Sequence, residues 1–369
     1  MDTCNFLKTP RFQHLFLQKD NIFRFLILQV FLIFGLSNYS FAQTTLTAQS
    51  AIGSASTSSS TFSTVTRASV TIDVTSINYI LVVATFQVEM TSPDGHGREA
   101  SFRIADNASQ ETINSGTIKR SLANAKSTDY GIGSVVYIFD VSELSNNRTY
   151  VLQHAFSTVA RTLTTNGTIV AVALKGGSEH LKNDVKRVSS PVTMGTEWAA
   201  VSGSETSVIT TTVTGGFYVA ASIESKTSSF TTSSVAEWKL QYKKGALGSW
   251  TDLCTSVERS MSNTSDRGII NLVGTLPDGS TSGDYYFQIA HRRTSPSSTI
   301  NTETCNITAV SLGITAGNFP VFMEMATGVS TASSSLVNAV TASMTPSANT
   351  SLFIHAQYGI TGTEATNST

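Results

Sequence analysis

Aromatic residues gathered in one part of the chain are the pattern best suited to chemistry. Trp250 follows Gly248-Ser249 at a turn, and Tyr242 stands shortly before it. A ring held at the surface of a sheet can stack on the apolar face of a sugar, so Trp250 and Tyr242 are the candidate ligand-binding residues, with a glycan as ligand. Trp198, Tyr285 and Tyr286 lie in the same part of the chain, whereas Trp238 aligns with Phe102 and reads as core.

Other reactive side chains receive structural readings. His154 and His291 fall in matching contexts, Gln153-His154 and Ala290-His291. No carboxylate, cysteine or second histidine accompanies both at ligand spacing, so each reads as a strand-end histidine with a hydrogen bond, not as a metal ligand or base. Asp94-Gly95-His96-Gly97 reads as a glycine-rich turn with a solvated histidine. Cys4 belongs to the leader, which leaves Cys254 and Cys305. In an exported chain these two are expected to form a disulfide closing a loop of about 50 residues, worth roughly 4 kcal/mol on the chain-entropy model. The alternative is two unpaired buried thiols acting as small apolar residues. No metal site and no cofactor is expected. Asn107, Asn147, Asn166, Asn263, Asn306 and Asn349 fit the N-x-Ser/Thr pattern, which arises readily in a chain so rich in Ser and Thr.

Motifs for catalysis are missing. The sequence has no G-x-S-x-G, no phosphate-cradling glycine loop, no H-E-x-x-H and no calcium loop of alternating Asp and Asn. No catalytic residue is assigned and no enzymatic activity is expected. Charged residues are 13% of the chain and the formal net charge is -1, so there is no electrostatic footprint for nucleic acid. Serine and threonine solubilise the surface instead, and threonine, being β-branched, suits a pleated strand.

The elements that must position these residues repeat. Tyr79-Ile80-Leu81-Val82-Val83-Ala84 returns as Phe217-Tyr218-Val219-Ala220-Ala221 and again as Ser351-Leu352-Phe353-Ile354-His355-Ala356. A period of about 135 to 138 residues is the size of a domain, not of a solenoid repeat. Arg120-Ser121-Leu122-Ala123-Asn124 answers Arg259-Ser260-Met261-Ser262-Asn263, and Asp129 to Ile132 answers Asp266 to Ile269. Within the first unit, strand character marks residues 68–74, 79–90, 100–106, 112–122, 131–141, 148–158 and 167–175, with an opening edge strand in the Ser/Thr-rich stretch 48–66. Residues 79–86 are apolar on both faces, which predicts the central strand of a buried sheet. Turn chemistry at Ser92-Pro93-Asp94-Gly95 and Leu276-Pro277-Asp278-Gly279 separates such runs.

The predicted fold is all-β: tandem antiparallel β-sandwiches, each of about eight strands, which fits a jelly roll better than a fibronectin III or immunoglobulin-like domain. Trp238 to Gly245, followed by Ser249 to Leu253, resembles the middle hairpin of fibronectin type III domains. The resemblance covers under a fifth of one unit and implies a β-hairpin there, with a fibronectin-like sandwich as the second choice of fold. Predicted units are a signal peptide at 1–42, a first sandwich at 44–176, a second at 188–316, and the start of a truncated third at 320–369. The polar, charge-dense segment from Lys175 to Arg187 reads as the boundary between the first two. The leader has an apolar run of about 10 to 14 residues, short of the roughly 20 that cross a bilayer, so no membrane span is expected after cleavage.

The leading expectation is a bacterial, secreted or cell-surface structural or adhesive protein, the front part of a longer chain. The alternative is a carbohydrate-binding accessory region of an extracellular polysaccharide-acting enzyme. Partners would be glycans or other surface proteins.

Overall fold

The computed structural model describes residues 47–91, 98–107, 114–122, 128–157, 161–174, 181–211, 215–229, 234–261, 266–294, 298–313 and 354–355. The expected signal peptide, the Asp94–His96 turn and all of the expected third unit except Ile354 and His355 lie outside this range. Among the described residues every regular element is a strand, and every strand pairing is antiparallel.

The first sandwich contains β1 (Thr47–Thr57), β2 (Ser63–Asp73), β3 (Tyr79–Thr91), β4 (Arg98–Asp106), β5 (Ile118–Leu122), β6 (Thr128–Asp140), β7 (Asn147–Phe156) and β8 (Leu163–Leu174). One sheet runs β1-β8-β3-β6 and the other β2-β7-β4-β5. Eight strands in these two orders form a jelly roll. Among the described residues the seven-stranded pairing of an immunoglobulin-like domain does not occur, so the fibronectin-like second choice is set aside.

The second sandwich contains β9 (Leu181–Val188), β10 (Val192–Thr193), β11 (Ala199–Ala200), β12 (Ile209–Thr211), β13 (Gly215–Ser229), β14 (Val235–Lys244), β15 (Thr251–Asp252), β16 (Val257–Ser260), β17 (Arg267–Ser280), β18 (Gly283–Arg293) and β19 (Thr299–Gly313). Its sheets run β10-β19-β13-β17, with β9 also on β19, and β11-β18-β14-β15, with β12 on β18 and β16 on β14. The charged segment that reads as a boundary in the sequence is therefore partly a strand. β9 is an edge strand whose partner is β19 alone, so lysines and aspartate can point away from the core at little cost.

Alternation explains the cores. On β3, Ile80, Val82, Ala84, Phe86, Val88 and Met90 face β4 and β7 across the first core, where Phe86 stacks on Phe102 with ring centroids 4.1 Å apart. On β13, Phe217, Val219, Ala221 and Ile223 enter the second core, beside Phe287 and the fully buried Trp238. The other faces of the same strands are also apolar. Leu81 and Val83 join Val136, Ile138, Val170 and Val172 in a third cluster with Tyr218, Ala220 and Val310. That cluster binds the back of the β1-β8-β3-β6 sheet to the back of the β10-β19-β13-β17 sheet. The molecule is thus a stack of four sheets with three apolar layers between them.

Polar groups seal the middle junction. Ser222 Oγ accepts from Val136 N at 3.0 Å, Ser121 Oγ accepts from Arg267 N at 3.0 Å, and Asn306 Nδ2 donates to Ser115 O. Glu224, 1% exposed, accepts from Lys119 N at 3.0 Å and from Thr304 Oγ1 at 3.3 Å, and it pairs with the Arg267 guanidinium. Arg267 also pairs with Glu99 of the first sandwich. Burial raises the Glu224 carboxyl above its ordinary value while Arg267 pulls it back down. Removing one partner of such a pair leaves a buried charge uncompensated, which costs more than removing both. Arg267→Met is therefore expected to destabilise the chain by about 3–5 kcal/mol, and Arg267→Met with Glu224→Leu to recover much of that loss, measured by urea unfolding.

Candidate functional site

Residues on β14 alternate across the outer sheet of the second sandwich. Ala236, Trp238 and Leu240 point into the core, so Glu237, Lys239, Gln241 and Lys243 point away from it. The neighbouring β18 is in register, pairing Glu237 with Arg292, Lys239 with Ala290, Gln241 with Gln288, and Lys243 with Tyr286. These cross-strand neighbours share the outward face.

Aromatic rings lie at both ends of this face. Trp198, immediately before β11, has Lys239 Nζ 4.2 Å and Arg292 Cζ 4.8 Å from its ring centroid. Trp250, immediately before β15, has Lys243 Nζ 4.6 Å from its centroid, and the same ammonium lies 4.8 Å from the Tyr286 ring. Each contact is attractive through the ring quadrupole, about 0.5–1 kcal/mol at a surface. Between the two ends runs a chain of hydrogen bonds. Gln288 Nε2 donates to Gln241 Oε1 at 3.0 Å, and Gln241 Nε2 donates to Asp252 Oδ1 at 2.8 Å. Lys239 Nζ donates to Asp252 Oδ2 at 2.8 Å. Burial raises the Asp252 carboxyl, but the bonds from Lys239 and Gln241 outweigh it and leave the group below its ordinary value.

Charges on this face are paired. Lys239 meets Asp252, Lys243 meets Glu205 at 3.0 Å, and Arg292 meets Glu237 at 3.0 Å. The β14–β15 hairpin that carries Trp250 turns through Gly245, whose φ of 74° suits a residue without a Cβ.

The first sandwich has half of this arrangement. Phe62 precedes β2 as Trp198 precedes β11; Ser63 pairs with His154 as Ala199 pairs with His291. Arg103 Cζ lies 4.2 Å from the Phe62 centroid, and Arg103 Nε donates to Gln153 Oε1 at 2.7 Å. The other half keeps the hairpin contact, Ala105 pairing with Asn114 as Gln241 pairs with Asp252, but carries different side chains. Where the second sandwich sets Gln241 and Gln288, the first has Ala105 and Val151, both buried.

Sequence-predicted site residues divide accordingly. Trp250 stands on the outward face. Tyr242 does not: strand period puts it on the side of Trp238 and Leu240, half-buried against the second core. Tyr242 thus packs on the core side of β14, apart from the face that carries Trp250. Lys239, Lys243, Gln241, Gln288 and Arg292 were not singled out by sequence reasoning, although the polar alternation along 237–243 was there to be read.

The cysteines are free and buried, in place of the expected disulfide. Cys254 follows β15 in the outer sheet and its sulfur accepts from Leu240 N at 3.3 Å, while Cys305 lies on β19 in the facing sheet. Both belong to the second core as small apolar residues. Burial pushes the thiols up to about 11 and about 12 respectively. Neither is expected to react with iodoacetamide in the native chain at neutral pH, and both to react in denaturant, read by peptide mass mapping.

His154 and His291 are inter-sheet ties. His154 Nδ1 bonds Thr165 Oγ1 at 2.8 Å and His291 Nδ1 bonds Thr302 Oγ1 at 2.9 Å, each joining an outer sheet to an inner one. Thr302 also accepts from Trp238 Nε1 at 3.0 Å. His355 Nδ1 lies 2.8 Å from the Tyr218 hydroxyl. Of the N-x-Ser/Thr asparagines, Asn107, Asn147 and Asn166 are exposed, Asn306 is buried in the junction, and Asn263 and Asn349 lie outside the described residues.

Burial pushes His154 and His291 down to about 4. Between that value and the ordinary value of about 6.5 the unfolded chain binds more protons than the folded one. Stability is then complete above pH ~6.5 and is lost as pH falls toward ~4, by roughly 3 kcal/mol per histidine. A His154→Gln, His291→Gln double variant is expected to flatten that decline in urea unfolding measured across the same pH range.

No protein-family model and no curated protein matches the sequence. Among solved structures, a recombinant N-glycanase F is 11% identical, with a TM-score of 0.34, covering 71% of this chain and 89% of its own. A glycosylasparaginase, PNGase F from Flavobacterium meningosepticum, is 12% identical with a TM-score of 0.25, covering 73% and 96%. The CBM22-1-CBM22-2 tandem domain of Paenibacillus barcinonensis Xyn10C is 12% identical with a TM-score of 0.19, covering 77% and 98%. At these TM-scores the likenesses carry no argument about activity.

Proposed function

We propose that this chain is an exported, non-catalytic adhesive protein of duplicated β-sandwiches, and that the outer face of the second sandwich binds glycans. One observation carries the reading: Trp198, Tyr286 and Trp250 share a single outward sheet face with the Gln288–Gln241–Asp252 hydrogen-bond chain. Flat rings offer stacking surface for the C–H face of a sugar, and the half-buried Gln241 amide, held by the buried Gln288, offers a polar group for hydroxyls.

Matching registers support the duplication. Ala55 pairs with Thr165 as Val192 pairs with Thr302, and Ala100 pairs with Arg120 as Ala236 pairs with Arg259. In both sandwiches that arginine lies over a glycine, Gly131 or Gly268, where any Cβ would collide with the guanidinium. A non-catalytic role agrees with how the buried titratable groups are used: the core histidines bind threonines and Glu224 binds Arg267.

The test is a glycan array probed with the whole chain. Hits are expected to fall about tenfold or more in affinity with Trp250→Ala and with Trp198→Ala, and to persist with Phe62→Ala on the first sandwich. A blank array with folded protein would remove the glycan reading.

A further inference from the structure

The charges on the recognition face are arranged to cancel, and this restricts its ligand. The three cations, Lys239, Lys243 and Arg292, each have a carboxylate partner within 3.0 Å. The lysine side chains are only 11% and 13% exposed, held under aromatic rings, whereas Asp252 and Glu205 are 52% and 46% exposed. Solvent therefore meets the negative member of each lysine pair first. Glu258, exposed and opposite Glu237 on β16, adds a further carboxylate beside the face. At the third pair the order reverses, Arg292 being 36% exposed and Glu237 5%, so an anionic polymer meets one paired cation and, at Asp252, Glu205 and Glu258, a rim of like charge.

Geometry adds a second restriction. The two aromatic ends are tied to Lys239 and Lys243, four residues apart on one strand, a span of about 13 Å at the rise of an extended chain. Such a span exceeds one sugar ring. The amide chain of Gln241 and Gln288 lies between the ends, so a ligand touching both aromatic stations crosses it.

We infer that the ligand is an uncharged oligosaccharide of several rings lying along β14, not a uronate or sulfated polymer; this rests on the glycan reading proposed above. Stacking and amide hydrogen bonds supply recognition, and the ion pairs serve to fix the rings in place rather than to attract the ligand.

Calorimetric titration of the whole chain tests this with two probe series of equal length, from disaccharide to hexasaccharide: neutral β-glucan or mannan oligosaccharides, and oligogalacturonates. Neutral oligosaccharides should bind at least about tenfold more tightly than the acidic ones, with affinity rising with length to a plateau. That affinity should change by less than about twofold between low and about 1 M salt. A Glu205→Gln, Asp252→Asn variant, which releases both lysines, should gain oligogalacturonate binding that salt abolishes. Tighter, salt-sensitive binding of oligogalacturonate by the unaltered chain would overturn the inference and leave glycan binding standing, as would neutral binding that ignores chain length. Failure of both series to bind would remove the glycan reading and this inference with it.

Discussion

Strands that are apolar on both faces must be covered twice, and the architecture follows from that requirement. β3 and β13 each put one row of side chains into a sandwich core and the opposite row into the cluster between the sandwiches. A jelly roll standing alone would expose Leu81, Val83, Val170 and Val172 as a contiguous apolar patch, which water disfavours in proportion to its area. Packing the backs of the two inner sheets together removes that patch. The sandwiches are consequently one body of four sheets, not beads on a string.

Polar groups inside this body serve to hold layers in register. His154 and His291 link the two sheets of their own sandwiches through threonines, and Glu224 with Arg267 links one sandwich to the other. Each is the kind of side chain that invites a catalytic reading in a linear sequence. In the fold each has a structural partner, because a buried polar group without one is costly. On the outer sheet of the second sandwich, lysines, an arginine and glutamines are instead paired beside aromatic rings on the face turned from the core.

The two sandwiches share a plan, including the hairpin contact that pairs Ala105 with Asn114 in the first and Gln241 with Asp252 in the second, and differ in the side chains carried there. The Arg103–Phe62 and Lys239–Trp198 contacts occupy corresponding positions, so that part of the face belongs to the common design. Lys243 and Tyr286 stand where the first sandwich has Asn107 and Thr149, and Trp250 lies beside them.

Much of the fold was legible in the residues alone. Two-residue alternation, the doubly apolar run at 79–86 and the recurrence near 217–221 specify strands, a central position and a second sandwich, because period and burial are local properties of a chain. Tyr242 and the cysteines show where that legibility stops. An aromatic near a turn can face either way, and only the phase of β14 against its core turns Tyr242 inward while Lys239 and Lys243 go outward. The charged strand β9 likewise depends on having an edge of β19 to join. The residue pattern thus determined which segments are strands and which faces are oily. Which sheets meet, which thiols stay apart and which rings gather on one face were decided by packing, since those relations join residues far apart in the chain through contacts that no local pattern encodes.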